Sequence, residues 1–194
     1  MQKRRRQKLP HFLGLALGLF LVWVVLSGKF EAKFLLIGLF SSLAISYFSM
    51  PLLIIRNEGT GKKFFVFGVN LFKFAAYFIW LCGEIFKSSI DVAREVLKPH
   101  MDYVPRIIYF SMPFENPMAS VVLSNSIIMT PGTITIDVTD DGVFEVHALN
   151  QSAADGVMSG EMQRRVAALY GETCQFVPIP EAEVRNIPKE GTGE

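Results

Sequence analysis

Two long runs of apolar residues dominate the first third of the chain. Residues 9–26 and 34–55 contain no Asp, Glu, Lys or Arg. Each run is as long as the roughly 17–25 apolar residues that a helical membrane span needs. A short polar segment, 27–33, separates them. The pattern predicts an antiparallel transmembrane helical hairpin, with spans at about 9–26 and 34–55.

Basic residues orient this hairpin. Five cations precede the first span within residues 1–8, and Arg56, Lys62 and Lys63 follow the second. Because Lys and Arg stay on the cytoplasmic side of membranes, both ends of the hairpin are predicted to be cytoplasmic. A cleaved signal peptide is the alternative for a basic and apolar N-terminus. A second full span and the lack of an Ala-x-Ala site argue against it.

Small residues recur at four-residue spacing within both spans. Gly14 and Gly18 lie in the first, and Gly38, Ser42 and Ser46 in the second. Such columns let helices approach closely in lipid, although glycine is also common in membrane helices without a packing role. Neither span has a charged residue in its interior, where ion pathways usually have one. The hairpin is therefore not expected to conduct ions by itself.

Residues 62–98 show a different period. At about 100° per residue, nearly all of their charged residues fall in one narrow stripe, and Phe, Leu, Ile, Val and Ala fill the remainder. The pattern predicts a long amphipathic helix. We take the stripe as a candidate surface for other subunits or for the membrane interface; its members are Lys73, Tyr77, Trp80, Glu84, Lys87 and Asp91.

Two placements of this third helix are open. It can lie in the membrane interface, or residues 64–83 can span with Lys73 at mid-depth, at a cost of about 2.5–3.5 kcal/mol. A full crossing moves the C-terminal half outside, where Lys87 and Arg94 violate the positive-inside tendency. An interfacial or incomplete span with a cytoplasmic C-terminal half is the favoured prediction.

The residue pattern of the C-terminal half predicts a small α/β domain. Residues 106–112 are β-branched and aromatic, which predicts a strand, and Asn116-Pro117 begins a helix over 118–128. After a Pro-Gly turn, residues 133–139 alternate. This predicts a strand with Ile134, Ile136 and Val138 facing the core and with Thr135 and Asp137 outward.

The rest of this half completes the pattern. Residues 143–149 alternate again and predict a second strand of the hairpin. Ser152 is the predicted cap of a helix that ends at Gly171. Residues 174–177 are predicted to form a last short strand. The order β-α-β-β-α-β is the ferredoxin-like arrangement. The predicted fold is thus an α+β membrane protein. Its parts are a membrane region over 1–98, a ferredoxin-like cytoplasmic domain over 99–178 and a flexible tail over 179–194.

The charge distribution sharpens this division. Residues 1–98 carry 14 basic and 5 acidic side chains, whereas residues 99–194 carry 5 and 13. Since the soluble half is acidic, nucleic acid is excluded as a partner. An acidic domain beside an anionic membrane is repelled by it. The mean hydropathy of +0.34 agrees with a membrane protein, with the lipid bilayer as one partner.

Residues for metal, cofactor or catalytic chemistry are sparse. Cys82 and Cys174 are far apart, and three histidines are scattered without metal-ligand spacing. His147 with Asp137 or Glu145 is the only His–carboxylate set on one predicted sheet face. That outward face is a candidate docking surface, and a solvated sheet face is the alternative. No cofactor, no metal and no enzymatic activity are predicted.

The segments Leu123–Val138 and Val146–Leu149 resemble the E subunit of multisubunit Na⁺/H⁺ antiporters of the Mrp, Mnh or Pha type. The resemblance covers roughly residues 10–175, and the Thr-Pro-Gly-Thr stretch is its most specific part. The local chemistry of this motif, a helix end, a turn and a strand, gives it a structural explanation. The motif residues singled out are Asn125, Thr130, Pro131, Gly132, Thr133, Asp137 and His147.

This resemblance implies a bacterial inner-membrane complex of about six or seven different subunits that exchanges Na⁺ or another monovalent cation for protons. In that family the large subunits are thought to hold the proton pathways, and the E subunit is accessory, for assembly or full activity. The second hypothesis is a membrane-tethered ferredoxin-like module that senses a ligand, because fold does not give function.

Overall fold

The computed structural model describes residues 2–57, 59–66, 68–98 and 104–180, with side chains from Phe12 onward. The chain separates into two compact units: Met1–Ile55 with Phe65–Phe67, and Arg56–Phe64 with Gly68–Glu194. Most of the predicted tail, from residue 181, lies outside the described residues.

The first unit is a pair of helices, α1 (Gln2–Ser27) and α2 (Ala32–Ser49). Among the described residues, α2 is the one helix long and apolar enough to cross a membrane, and 12–27 is a shorter apolar helix. The second span was predicted to reach residue 55, but the helix ends at Ser49. Pro51 explains this difference, since a proline has no backbone N–H with which to continue the helical hydrogen bonds.

The two helices pack through small residues of α2. Gly38, Ser42 and Ser46 are its buried residues, so the packing face predicted from their spacing is confirmed. The indole of Trp23 covers Gly38, and its Nε1 donates to the carbonyl of Phe34 at 3.2 Å.

In α1 the second alternative holds within this chain, because the two glycines take no part in packing against α2. Gly14 and Gly18 are exposed, and Ala16 is the buried residue of this stretch. Because successive residues turn by about 100°, Ala16 shares a face with Trp23, seven residues later, and the two glycines point away.

A methyl group added at Gly38 tests this packing. The new Cβ of Gly38→Ala meets Cγ, Cδ1 and Nε1 of Trp23 closer than atoms can approach. We expect a lower thermal midpoint for the full chain purified in detergent, followed by circular dichroism. Gly14→Ala is the matched control because its Cβ meets nothing within 4 Å. An equal effect of the two substitutions contradicts the packing described here.

Two short strands, β1 (Ile54–Arg56) and β2 (Lys63–Phe65), form a small two-stranded sheet. Helix α3 (Leu71–Val96) follows. It starts later than the predicted residue 62, because the side chain of Asn70 accepts hydrogen bonds from the backbone N–H groups of Phe72 and Lys73 and caps the helix there.

The remainder of the second unit is the α/β domain, a four-stranded sheet with three helices. Its elements in chain order are β3 (Arg106–Ser111), α4 (Pro117–Met129), β4 (Thr133–Val138), β5 (Val143–Ala148), α5 (Gln151–Met158), α6 (Glu161–Tyr170) and β6 (Val177–Ile179). The strand order is β4-β5-β3-β6, with every neighbouring pair antiparallel. At its core the rings of Phe110 and Phe144 stack with centroids 4.9 Å apart.

The single helix predicted between Ser152 and Gly171 is in fact two helices, α5 and α6. Asn150, not Ser152, caps α5 by accepting from the N–H of Ala153 at 2.9 Å. Gly160 separates α5 from α6 with a φ of +70°, a left-handed conformation that favours glycine. The last strand begins at Val177, three residues later than predicted; its Pro178 is tolerated because β6 is an edge strand.

The face assignment of β4 is wrong for Ile134 and Ile136, which are exposed, whereas Val138 packs against the core as predicted. An irregularity in the strand between Thr135 and Asp137 interrupts the alternation, and Thr133 is buried. The hydroxyl of Thr133 donates to the carbonyl of Ile127 at 2.7 Å, so its polar group is satisfied inside the domain and needs no solvent. In β5 the predicted inward residues Phe144, Val146 and Ala148 are buried as expected.

Candidate interaction site on helix α3

Helix α3 packs along one side against the α/β domain of the same unit. Tyr77 and Leu81 are its buried residues, and Trp80 and Ile85 are partly buried against the same hydrophobic core. Part of the stripe predicted from sequence therefore contacts this chain's own domain.

A buried hydrogen bond joins α3 to α4. The hydroxyl of Tyr77 lies 2.6 Å from Oγ of Ser126. Since Ser126 gives its single proton to the carbonyl of Val122 at 2.7 Å, Tyr77 is the donor of this pair. The bond fixes the rotation of α3 about its axis, because a small rotation of the helix leaves the phenol hydroxyl without a partner.

A second contact joins α3 to α6. The guanidinium of Arg165 lies over the ring of Trp80, 4.4 Å from its centroid. The same guanidinium donates through Nε and Nη2 to one carboxylate oxygen of Glu161, at 3.0 and 2.8 Å. Glu161 thereby holds the cation over the indole ring, within the distance at which a cation–π contact is favourable.

The third contact is with the turn that carries the family motif. Ser88 of α3 donates to the carbonyl of Pro131 at 2.7 Å. Gly132 has a φ of +92°, and a Cβ there would touch Val92 of α3 and Ala153 of α5 at 3.4 Å. The Pro131-Gly132 turn is therefore the point where α3 meets the start of α5, and glycine is favoured there by its positive φ.

The remaining motif residues have local roles or none that the structure reveals. Thr130 donates to the carbonyl of Ser126 at 2.9 Å and helps close α4. Asn125 is exposed. Asp137 accepts from the N–H of Val138 at 2.8 Å. It lies opposite Glu145 in the sheet register, whereas His147 lies between Ile107 and Ile134.

The charged members of the stripe lie at the edge of this contact. Glu84 and Lys87 are 3.9 Å apart, and Asp91 and Arg94 are 3.6 Å apart, each pair one helical turn apart. Each exposed ion pair of this kind contributes at most about 1 kcal/mol to the free energy of folding. Lys73 is exposed and forms no ion pair within the described part of the chain.

A half-open cavity of about 140 Å³ lies between this edge and the domain. Glu84, Lys87 and Asp91 line one side, and Thr130 and Asn150 line the other. Across the described residues, no group of three His, Cys, Asp or Glu is arranged to hold a metal ion.

Two titratable groups of the domain, Tyr170 and Cys174, stay protonated at physiological pH. Burial raises the pKa of Tyr170, and the nearby Tyr77 and Glu172 raise it further. Burial also raises the pKa of the Cys174 thiol, with Glu172 adding to the effect. Raised values keep both groups neutral at physiological pH, so they act here as packing and hydrogen-bonding groups.

The sequence did not reveal three residues of this site: Ser88, Ser126 and Arg165. A hydroxyl on a helix carries no signal of the distant carbonyl or phenol it contacts. Only the Glu161–Arg165 spacing, one helical turn, was visible as an ion-pair pattern.

The fold and this site define a class: a membrane protein that carries a four-stranded α/β domain with a long amphipathic helix packed on it. The model of the family described as Na⁺/H⁺ ion antiporter subunit (MNHE) matches residues 16–169. The chain belongs to this family.

Known relatives are similar over most of their length. The Na⁺/H⁺ antiporter subunit E1 of Staphylococcus haemolyticus is 27% identical over 140 residues, which cover 72% of this chain and 82% of that protein. Subunit E1 of Staphylococcus saprophyticus is 26% identical over 134 residues, covering 69% and 78%.

A solved structure has a similar fold. One chain of the membrane-bound sulfane sulfur reductase, an archaeal respiratory membrane complex, superposes with a TM-score of 0.59. The match has 22% identity and covers 80% of this chain and 96% of that one.

The Tyr77–Ser126 bond predicts an asymmetric pair of substitutions. Ser126→Ala leaves a buried phenol hydroxyl without an acceptor and should cost about 1–3 kcal/mol, whereas Tyr77→Phe leaves Ser126 bonded to Val122 and should cost about 1 kcal/mol. Urea unfolding of the full chain in detergent measures both. Tyr47→Phe is the control, since Tyr47 is exposed. A larger cost for Tyr77→Phe than for Ser126→Ala refutes the assignment of Tyr77 as donor.

Proposed function

We propose that this chain is a non-catalytic accessory and assembly subunit of a multisubunit Na⁺/proton antiporter complex in the bacterial inner membrane. The family match, which extends over both structural units, is the observation that carries the proposal. The relatives named above are themselves antiporter subunits. The other subunits of the complex are its partners.

The interior of the helical pair supports an accessory role. The buried residues of α2 are Gly38, Ser42 and Ser46, and residues 34–55 have no charged side chain. A proton or cation pathway needs ionisable or coordinating groups along its length. The ions therefore cross through partner subunits, and α1 and α2 anchor this chain as a multi-pass hairpin.

The α/β domain is of the ferredoxin-like type and lies on the cytoplasmic side. The order β4-β5-β3-β6 with antiparallel neighbours supports the split β-α-β arrangement. The cluster of Lys and Arg in residues 1–8, together with Arg56, Lys62 and Lys63 after the second span, supports the orientation. The acidic domain then stays clear of anionic headgroups.

The acidic side chains beside the cavity are the proposed contact with other subunits. Glu84 and Asp91 remain partly exposed after α3 has packed on the domain, whereas Tyr77 and Trp80 are engaged within the chain. Their ion pairs with Lys87 and Arg94 are long, at 3.9 and 3.6 Å. A basic or hydrogen-bonding group of a partner can therefore compete for these carboxylates.

Charge reversal at Glu84 tests this contact. We expect Glu84→Lys to reduce the recovery of the other subunits with the tagged chain from native membranes, and to reduce growth at high sodium. Asp141→Lys makes the same charge change in the exposed β4–β5 turn and should leave both unchanged. Unchanged assembly and sodium tolerance in Glu84→Lys remove this residue from the interface. A tagged wild-type chain that brings down no membrane partner contradicts the subunit role itself.

A ligand-sensing module is the second candidate, and the cavity beside α3 is the observation that favours it. Its walls combine carboxylates with the polar groups of Thr130 and Asn150. A thermal-shift screen of the full chain with nucleotides, metal ions and amino acids tests this role. A reproducible shift that Asn150→Ala removes supports it, and no shift with any compound counts against it.

A further inference from the structure

The side of α3 that points away from the domain is apolar along its whole length. Phe72, Ile79 and Phe86 are 87%, 73% and 70% exposed, and Cys82 and Ile90 lie on the same side. These five residues, which we call the outer face of α3, are separated by seven, three, four and four positions, that is by one or two helical turns, and so share one side of the helix. A continuous apolar face of this kind on a protein marks a contact with a membrane or another protein.

The inner side of the same helix is already occupied. Contacts with the domain extend from Tyr77 through Trp80 and Ser88 to Val92. Fifteen residues of helix separate the ends of this contact, or about 22 Å. A bilayer core is about 30 Å thick, so a spanning α3 would draw the polar edge of the domain into hydrocarbon.

At the margin of the outer face, each cation of an ion pair is more exposed than the carboxylate beside it. The side chain of Lys87 is 72% exposed against 33% for its partner Glu84, and Arg94 is 75% exposed against 44% for Asp91. Lys73, without an ion pair in the described segments, adds a third exposed cation. The carboxylates are drawn toward the domain, and the ammonium and guanidinium groups reach outward.

From these three observations we propose that the outer face of α3 lies in the anionic cytoplasmic leaflet of the membrane, parallel to its plane. The phenylalanine and isoleucine side chains enter the upper acyl region, and Lys73, Lys87 and Arg94 contact lipid phosphates. This charge complementarity favours a lipid surface over an apolar patch of another subunit. Helix α3 then holds the domain at the membrane surface, although the domain itself is acidic.

Native Cys82 is the probe for this placement. Cys174→Ser leaves it as the single thiol, and a spin label there is examined in the full chain in phosphatidylethanolamine–phosphatidylglycerol vesicles. Collisions with oxygen should exceed those with a water-soluble nickel chelate, at a depth just below the headgroups. The control is the same label on Asp141→Cys in a chain with both native cysteines changed to Ser; it should meet the nickel chelate freely.

Two results overturn the proposal. In the spanning placement Lys73 lies at mid-depth, so a label on the exposed Ala75→Cys, in a chain with both native cysteines changed to Ser, would lie near the bilayer centre, about 10 Å deeper than the label on Cys82. A helix parallel to the membrane gives the two labels the same depth. A label that meets the nickel chelate as freely as the control places the outer face in water. The contact with anionic lipid is tested separately. The double substitution Lys87→Gln with Arg94→Gln should raise the collisions of the Cys82 label with the nickel chelate in anionic vesicles and not in phosphatidylcholine vesicles. An equal change in both refutes the role of anionic lipid.

The native complex separates lipid from a protein partner. Replacement of Ile79 by p-benzoylphenylalanine, followed by irradiation of intact membranes, should add the mass of a phospholipid to this chain. A cross-link to another subunit instead overturns the assignment of the outer face to lipid. It leaves the accessory role itself intact.

Discussion

The hydrogen bond between Tyr77 and Ser126, with the two contacts beside it, determines how the second unit is organised. It selects which side of an amphipathic helix meets the α/β domain and therefore which side remains for the membrane and for partners. Tyr77 and Trp80 serve as the attachment of α3, and the charged residues of the same stripe lie at its margin. One helix thus presents three surfaces: an inner one for the domain, a charged margin and an apolar outer face.

The motif that characterises the family resemblance gains a physical explanation from this arrangement. Pro131 offers its carbonyl to Ser88, and Gly132 leaves room for Val92 and Ala153. The turn is thus a contact point for α3 and α5. A side chain larger than hydrogen at Gly132 strains a backbone with φ of +92°. The motif therefore contributes to the contact between α3 and the α/β domain.

The sequence predicted those features that depend on local chemistry. The helical pair, the Asn116 cap and the inward face of β5 follow from apolar runs, a capping side chain and a period of two. The sequence did not predict features that depend on a contact with a residue far away in the chain. Thr133 is buried because a carbonyl of α4 accepts its proton, and Gly14 is exposed because Ala16 and Trp23 set the rotation of α1. The stripe on α3 was visible from its period, but its division between domain and margin depends on Ser126 and Arg165, far away in sequence.

The central claim is that α3 and the α/β domain form one cooperative unit. Amide hydrogen exchange of the full chain in vesicles, measured across a urea series by mass spectrometry, tests it most directly. Residues 77–92 of α3 should lose protection at the same urea concentration as β3 and β5, because unfolding of the domain removes the partners of Tyr77, Trp80 and Ser88. Protection of α3 that persists after the sheet has exchanged indicates a helix held by lipid alone. Exchange of α3 well before the sheet indicates a helix that is not attached. Either result contradicts the account.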